Sequence, residues 1–180
     1  MEVLCKSSKY EMPLSVSIYS GKTFLTDPWL MDEGALGVFA DSPYCCADPA
    51  KENIPMPMCD LPMSMDDILR NVDAYIVTHI HPDHIDMEPD GTVGRVLDKN
   101  TPAFVQNTED AQAFLRSGFT DVTVLYENSA FDGVRLIKTP GRHGTKIPCG
   151  PSCVLFSRQM MRRRSMWLVI LFGMMVPGTH

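Results

Sequence analysis

The sequence predicts a layered α/β domain, and three observations carry that prediction. Short β-type runs recur along the chain, helix-like segments fall between them, and glycine or proline marks the junctions. At 180 residues the chain has the size of one domain and can bury a real core.

The elements follow in order. Leu14 to Leu30 reads as two short strands, with Val16, Ile18, Phe24 and Leu25 as β-type residues and a turn at Ser20-Gly21-Lys22. Pro28 stops strand pairing after Asp27. Residues 31–63 are loop-like, carrying Pro43, Pro49, Pro55, Pro57 and Pro62. A stretch this long inside a compact domain is usually functional or flexible. Ser64 is a plausible N-cap with Asp67 three residues on, so a short helix opens there. Ala74 to Thr78 is a buried-strand pattern that runs directly into a histidine-rich segment. Ala103-Phe104-Val105 and Val122 to Leu125 are strands flanking a helix expected over Asp110–Ser117, which Gly118 terminates. Val134 to Lys138 is a further strand, ended by Pro140-Gly141. There is no internal repeat and no low-complexity segment.

Composition excludes some functions. The chain is 44% hydrophobic and 21% charged, with a formal net charge of −6. That balance offers no broad basic surface, so nucleic acid is not an expected partner. Six cysteines (Cys5, Cys45, Cys46, Cys59, Cys149, Cys153) show no C-x-x-C spacing. The first residues do not read as a secretory leader, so free thiols and a cytoplasmic location are expected. The apolar run Met166 to Val176 has eleven residues, short of the roughly 18–20 that span a bilayer. No membrane partner is expected, although Arg162-Arg163-Arg164 before that run leaves an interfacial anchor as a competing reading.

The chemistry gathers at His79-Ile80-His81-Pro82-Asp83-His84. His79 and His81 stand two apart at a strand end, so their imidazoles point to the same side. Pro82 bends the chain, and Asp83 and His84 follow at once. Four potential ligands within six residues need little chain entropy to converge. Imidazole suits zinc and similar ions, and the carboxylate adds a harder donor. A lone histidine would more often be structural; this spacing after a β-run reads as a divalent-metal site.

The pattern His79-x-His81-x-Asp83-His84 resembles the signature of the metallo-β-lactamase superfamily of metal-dependent hydrolases. Phe24-Leu25-Thr26-Asp27-Pro28 resembles the early strand whose terminal aspartate supports the site from beneath. Thr139-Pro140-Gly141-Arg142-His143-Gly144 resembles the later loop whose histidine completes the first metal site. By themselves Asp27 would be a turn aspartate and His143 a loop histidine; the company of the cluster changes both readings. The resemblance implies an αββα sandwich with His79, His81 and His143 on one metal and Asp83 and His84 on a second. It further implies zinc, with manganese as the alternative, as one or two ions. Hydroxide supplied near neutral pH would attack a carbonyl or phosphoryl centre of a small-molecule ester, lactone or phosphoester. Asp83 is the expected catalytic residue, orienting the nucleophile. The Asp-Pro-Trp and Gly-Arg-His-Gly segments resemble the group that includes the ascorbate-phosphate lactonases.

The pattern stops near residue 153. The family's bridging aspartate and final histidine have no counterpart, since no acid follows Asp132. Residues 1–153 are therefore expected to form an incomplete domain, and 154–180 an atypical tail. Codon arithmetic suggests an origin for that tail. Met has one codon, so Met174-Met175-Val176 is ATG-ATG-GT, which reads Asp-Gly when moved back one base. With permitted codons for Val169 to Gly173, the same shift gives Gly-Asp-Thr-Val-Trp-Tyr-Asp-Gly, resembling the missing segment. One base lost near Cys153-Val154 would put the tail out of frame. Weak second-site binding and little activity are then expected of this chain. The competing class is a non-catalytic metal-binding or interaction protein that retains one three-histidine site.

Overall fold

The computed structural model describes residues 14–41 and 49–138, together with the backbone of two strands farther along, Val154–Phe156 and Trp167–Phe172. The elements expected through Lys138 are found, with two differences.

Strands β1 (Ser15–Tyr19) and β2 (Lys22–Thr26) pair antiparallel, Tyr19 facing Lys22 across the turn. Ser20 and Gly21 both adopt positive φ, 55° and 75°. A two-residue turn of this hand matches the twist of the strands it joins, which is why glycine sits there. β3 (Ala74–Val77), β4 (Ala103–Val105) and β5 (Val122–Val124) then add in parallel, giving the order β1-β2-β3-β4-β5. Helix α1 (Met65–Leu69) starts at the cap read from the sequence: Ser64 accepts a bond from the Asp67 amide.

Helix α2 (Thr108–Arg116) begins two residues earlier than expected. Asn107, whose side chain accepts from the Asp110 amide at 2.8 Å, supplies the cap and starts the helix before the apolar residues begin. The second difference is β6 (Ser129–Phe131), too short and too polar to register as a run. It pairs with β7 (Val134–Lys138) through a turn at Asp132 and Gly133, again both at positive φ.

β6 and β7 belong to a second sheet. β9 (Trp167–Phe172) lies parallel to β7, and β8 (Val154–Phe156) antiparallel to β9, in the order β6-β7-β9-β8. The backbone of the atypical tail thus contributes strands. Among the described residues no helix is long and apolar enough to cross a membrane.

Two cores lie on opposite faces of the first sheet, because strand side chains alternate in direction. Leu25, Tyr75, Val77, Ala103 and Val105 face α1 and α2, meeting Ile68, Ala111 and Phe114. Phe24, Ala74, Ile76 and Phe104 face the second sheet, meeting Val134 and Leu136. Phe131 packs edge-on against Phe24 and Phe104, with ring centroids 5.9 and 5.6 Å away. All four residues of β3 are buried, the pattern of a central parallel strand. The described layers are helices, sheet and sheet, as in the predicted sandwich. Cys59 is exposed, while the other five cysteines lie outside the described residues.

Candidate functional site

The site assembles where the parallel strands of the first sheet end. β2 and β3 run side by side with Thr26 opposite Ile76, so Asp27 and Thr78 emerge from neighbouring strand ends. Ligand sites of parallel sheets form beyond the carboxyl ends of strands, where chains diverge.

Asp27 is held in a left-handed conformation, φ 46°, with its amide bonded to the Ile76 carbonyl at 2.9 Å. This conformation is uncommon for a residue bearing a side chain, and aspartate tolerates it better than most. Its carboxylate is 3% exposed and fully used. Oδ1 accepts from the Thr78 amide at 2.8 Å, and Oδ2 accepts from the Thr78 hydroxyl at 3.0 Å. Oδ2 also lies 3.0 Å from His84 Nδ1.

These contacts decide where protons sit on two imidazoles. The Thr78 hydroxyl has one proton, and Asp27 takes it. Thr78 Oγ1 stands 3.0 Å from His79 Nδ1 and must then accept from that nitrogen. His84 Nδ1 likewise donates to the Asp27 carboxylate, with Thr78 Oγ1 a further 3.2 Å contact. In neutral rings both Nε2 atoms then carry lone pairs. Thr78 was read in sequence only as the last strand residue. Its position directly before His79 was the available signal.

His79 is buried, 3% exposed. Its Nε2 faces His81 Nδ1 at 2.9 Å, and the two rings meet edge-on with centroids 4.3 Å apart. The His84 ring lies 3.9 Å from the His79 ring and 6.5 Å from the His81 ring. Asp83 Oδ2 is 3.9 Å from His84 Nε2, while Asp83 Oδ1 is buried and has no hydrogen-bond partner among the described residues. Burial pushes the His84 pKa down, but the charge and hydrogen bond of Asp27 and the charge of Asp83 outweigh it, so the net shift is upward.

Two nitrogens on a tetrahedral ion with bonds of about 2.05 Å stand roughly 3.3 Å apart. The pair His79 Nε2 and His81 Nδ1, at 2.9 Å, needs to open by only roughly 0.4 Å. A buried carboxylate oxygen without a donor, on Asp83, asks for a cation or a proton. The donor chemistry fits. Among the described residues, however, no three donors close around a common point as a metal cage. His143, expected to be the distant donor, lies outside the described residues. The structure therefore brings together His79, His81, Asp83, His84 and Asp27 from the sequence reading.

No family model matches the chain. The chain is 40% identical over 126 residues to the UPF0173 protein YddR of Bacillus subtilis (strain 168), a match over 70% of this chain and 45% of that one. Among solved structures it resembles a possible metal-dependent hydrolase from Veillonella parvula DSM 2008, with TM-score 0.62 and 31% identity. That match covers 83% of this chain and 57% of the other. It also resembles the isothiocyanate hydrolase from Delia radicum gut bacteria, with TM-score 0.56 and 34% identity over 76% of this chain and 48% of that one. The chain thus spans about half the length of the relatives it matches. The resemblance to hydrolases of the metallo-β-lactamase fold, read first from the histidine segment, is carried by sequence and fold alike.

Proposed function

We propose that this chain derives from a metal-dependent hydrolase in which a divalent ion activates water against an ester, lactone or phosphoester of a small molecule. The observation that carries the reading is the proton arrangement at the sheet edge. Asp27 and Thr78 hold His79 and His84 by Nδ1, so each neutral ring carries its lone pair on Nε2, that of His79 facing His81 Nδ1, beside a buried Asp83 oxygen without a donor among the described residues. Backing a ligating imidazole in this way sets its tautomer and orientation.

His79 and His81, joined by His143, would hold the first ion; Asp83 and His84 would hold a second. Zinc suits this nitrogen and oxygen set, with manganese as the alternative. When bound, the ion lowers the pKa of water and polarises the attacked group. Asp83 orients the nucleophile, and Asp27 and Thr78 keep the imidazoles aimed. The neighbour named as an isothiocyanate hydrolase adds a fourth electrophile to test, the isothiocyanate carbon. A cytoplasmic location completes the reading.

Metal analysis of the purified chain tests it. Zinc or manganese should co-purify or titrate in at one equivalent or more, and His79→Ala with His81→Ala should abolish that binding. Equal metal content in the variant would sink the proposal. A panel of lactone, phosphodiester, ester and isothiocyanate substrates then separates an enzyme from the alternative, a metal-binding protein without catalysis. Residues 154–180 are part of the proposal: their coding DNA should carry the shifted-frame codons over Val169–Gly173. Other codons there would make the tail an ordinary one, and turnover with two tightly bound ions would contradict the impaired activity expected of this chain.

A further inference from the structure

The segment that follows the histidines is built more tightly than a connection between strands requires. His84 and Ile85 both donate their amides to the His81 carbonyl, at 2.9 and 3.1 Å, so the ligand turn ends directly on Ile85. Ile85 is fully buried, and Val93 and Leu97 join it in the helix-side core. Asp86 then closes the loop on itself. Its carbonyl accepts from the Gly94 amide at 3.1 Å, and its Oδ2 accepts from the Arg95 amide at 2.7 Å.

The returning strand of the loop is clamped from the other side. The Val93 amide donates to Ser117 Oγ at 2.8 Å, and Ser117 donates in turn to the Ala113 carbonyl of α2 at 2.7 Å. The Lys99 ammonium donates to the Val93 carbonyl at 3.2 Å and to the Gly94 carbonyl, and sits 4.1 Å over the Phe119 ring. Gly94, at φ 63°, leaves no room for a side chain: a Cβ would lie 3.0 Å from Leu97 and 3.1 Å from Phe119. Burial lowers the Lys99 pKa, and the charge of Asp86 opposes that shift.

We infer that Asp86 and Lys99 are positioning residues of the candidate metal centre, closing residues 85–99 into a brace that sets the turn carrying His81, Asp83 and His84. The inference rests on the metal-centre reading. No residue separates His84 from the buried Ile85, so displacement of the loop mouth moves the ligand turn directly. Among the described residues both are bonded to the backbone of the loop, through which they act.

The test uses zinc affinity of the full chain, measured by chelator competition, and the visible absorption of the cobalt-substituted protein. Lys99→Met should weaken zinc about tenfold, the lower range for groups that support ligands, and alter the cobalt bands. Lys99→Arg, whose guanidinium can reach both carbonyls, should recover most of the loss. Zinc affinity and cobalt bands unchanged in Lys99→Met would overturn the inference. So would a loss of binding that merely tracks the unfolded fraction by circular dichroism. Should Lys99→Met fail to fold, Asp86→Ala carries the same expectation and the same refutation. A parent chain that binds no zinc, like its His79→Ala variant, would remove the metal-centre reading and this inference together; zinc lost in His79→Ala but kept in Lys99→Met removes only this inference.

Discussion

His79 and His84 are both held by Nδ1, but by different means. His79 follows β3 by two residues, and its Nδ1 leans on the hydroxyl of the adjacent Thr78, a neutral partner one residue away. His84 sits in a turn, and its Nδ1 meets the carboxylate of Asp27 on the neighbouring strand. A charged acceptor binds more strongly than a neutral one and raises the basicity of the ring it holds. The strand-end half of the centre is thus oriented by local geometry, and the turn half by a buried charge delivered by tertiary pairing. Asp27 reaches both halves, because it also accepts from Thr78, 51 residues away in sequence.

The largest effect should come from removing that shared carboxylate. Asp27→Ala leaves the Thr78 amide, the Thr78 hydroxyl and His84 without their acceptor, and should cost about 3–4 kcal/mol in denaturant unfolding. Asp27→Asn keeps an acceptor and tolerates the left-handed backbone, and should cost less than half as much. A loss under 1 kcal/mol for Asp27→Ala, on the order of an ordinary surface change, would show that the carboxylate is not the keystone.

Thr78→Val comes next, with an expected loss of about 1–2 kcal/mol for a buried hydroxyl whose partners stay behind. It should release His79 from its single tautomer while His84 keeps Asp27. Nitrogen NMR shifts of the two rings read this directly, and a greater disturbance at His84 than at His79 would invert the comparison.

A third contrast is between two buried carboxylates. Asp27 is satisfied on both oxygens, whereas Asp110 Oδ2 has no hydrogen-bond partner among the described residues. Burial raises the Asp110 pKa above 3.8, against hydrogen bonds from Gln106 and Asn107 that lower it. A raised native pKa favours the protonated fold, so this group's contribution is present below 3.8 and lost as pH rises through the native value. Asp110→Asn should therefore gain on the parent in urea midpoint as pH rises from 3.8 toward neutrality; a gap that stays constant or shrinks would contradict the burial argument. The smallest effect belongs to Ile18, 56% exposed on the edge strand β1, where Ile18→Thr should stay within about 0.5 kcal/mol of the parent in the same assay.

Much of this was legible residue by residue. The hairpin at Ser20-Gly21 and the strands from Ala74, Ala103, Val122 and Val134 show as patterns because glycine conformations and apolar runs are local properties. β6 was not legible: Ser129-Ala130-Phe131 becomes a strand through its pairing with β7 and the packing of Phe131 on Phe24 and Phe104. The start of α2 was misplaced because Asn107 exerts its influence through a cap rather than through periodicity. Thr78, Asp86 and Lys99 carried no motif, since each acts through a partner that only folding brings near.

From the sequence alone came the donors and their order, because His79, His81, Asp83 and His84 are close along the chain and need no fold to be neighbours. The tertiary structure decided how they are aimed. Parallel pairing of β2 with β3 sets Asp27 beside Thr78, whose hydroxyl donates to Asp27 and accepts from His79, so that His79 and His84 are both held by Nδ1. Spacing along a chain can choose ligands, but the tautomer of an imidazole is set by whatever stands behind it in space.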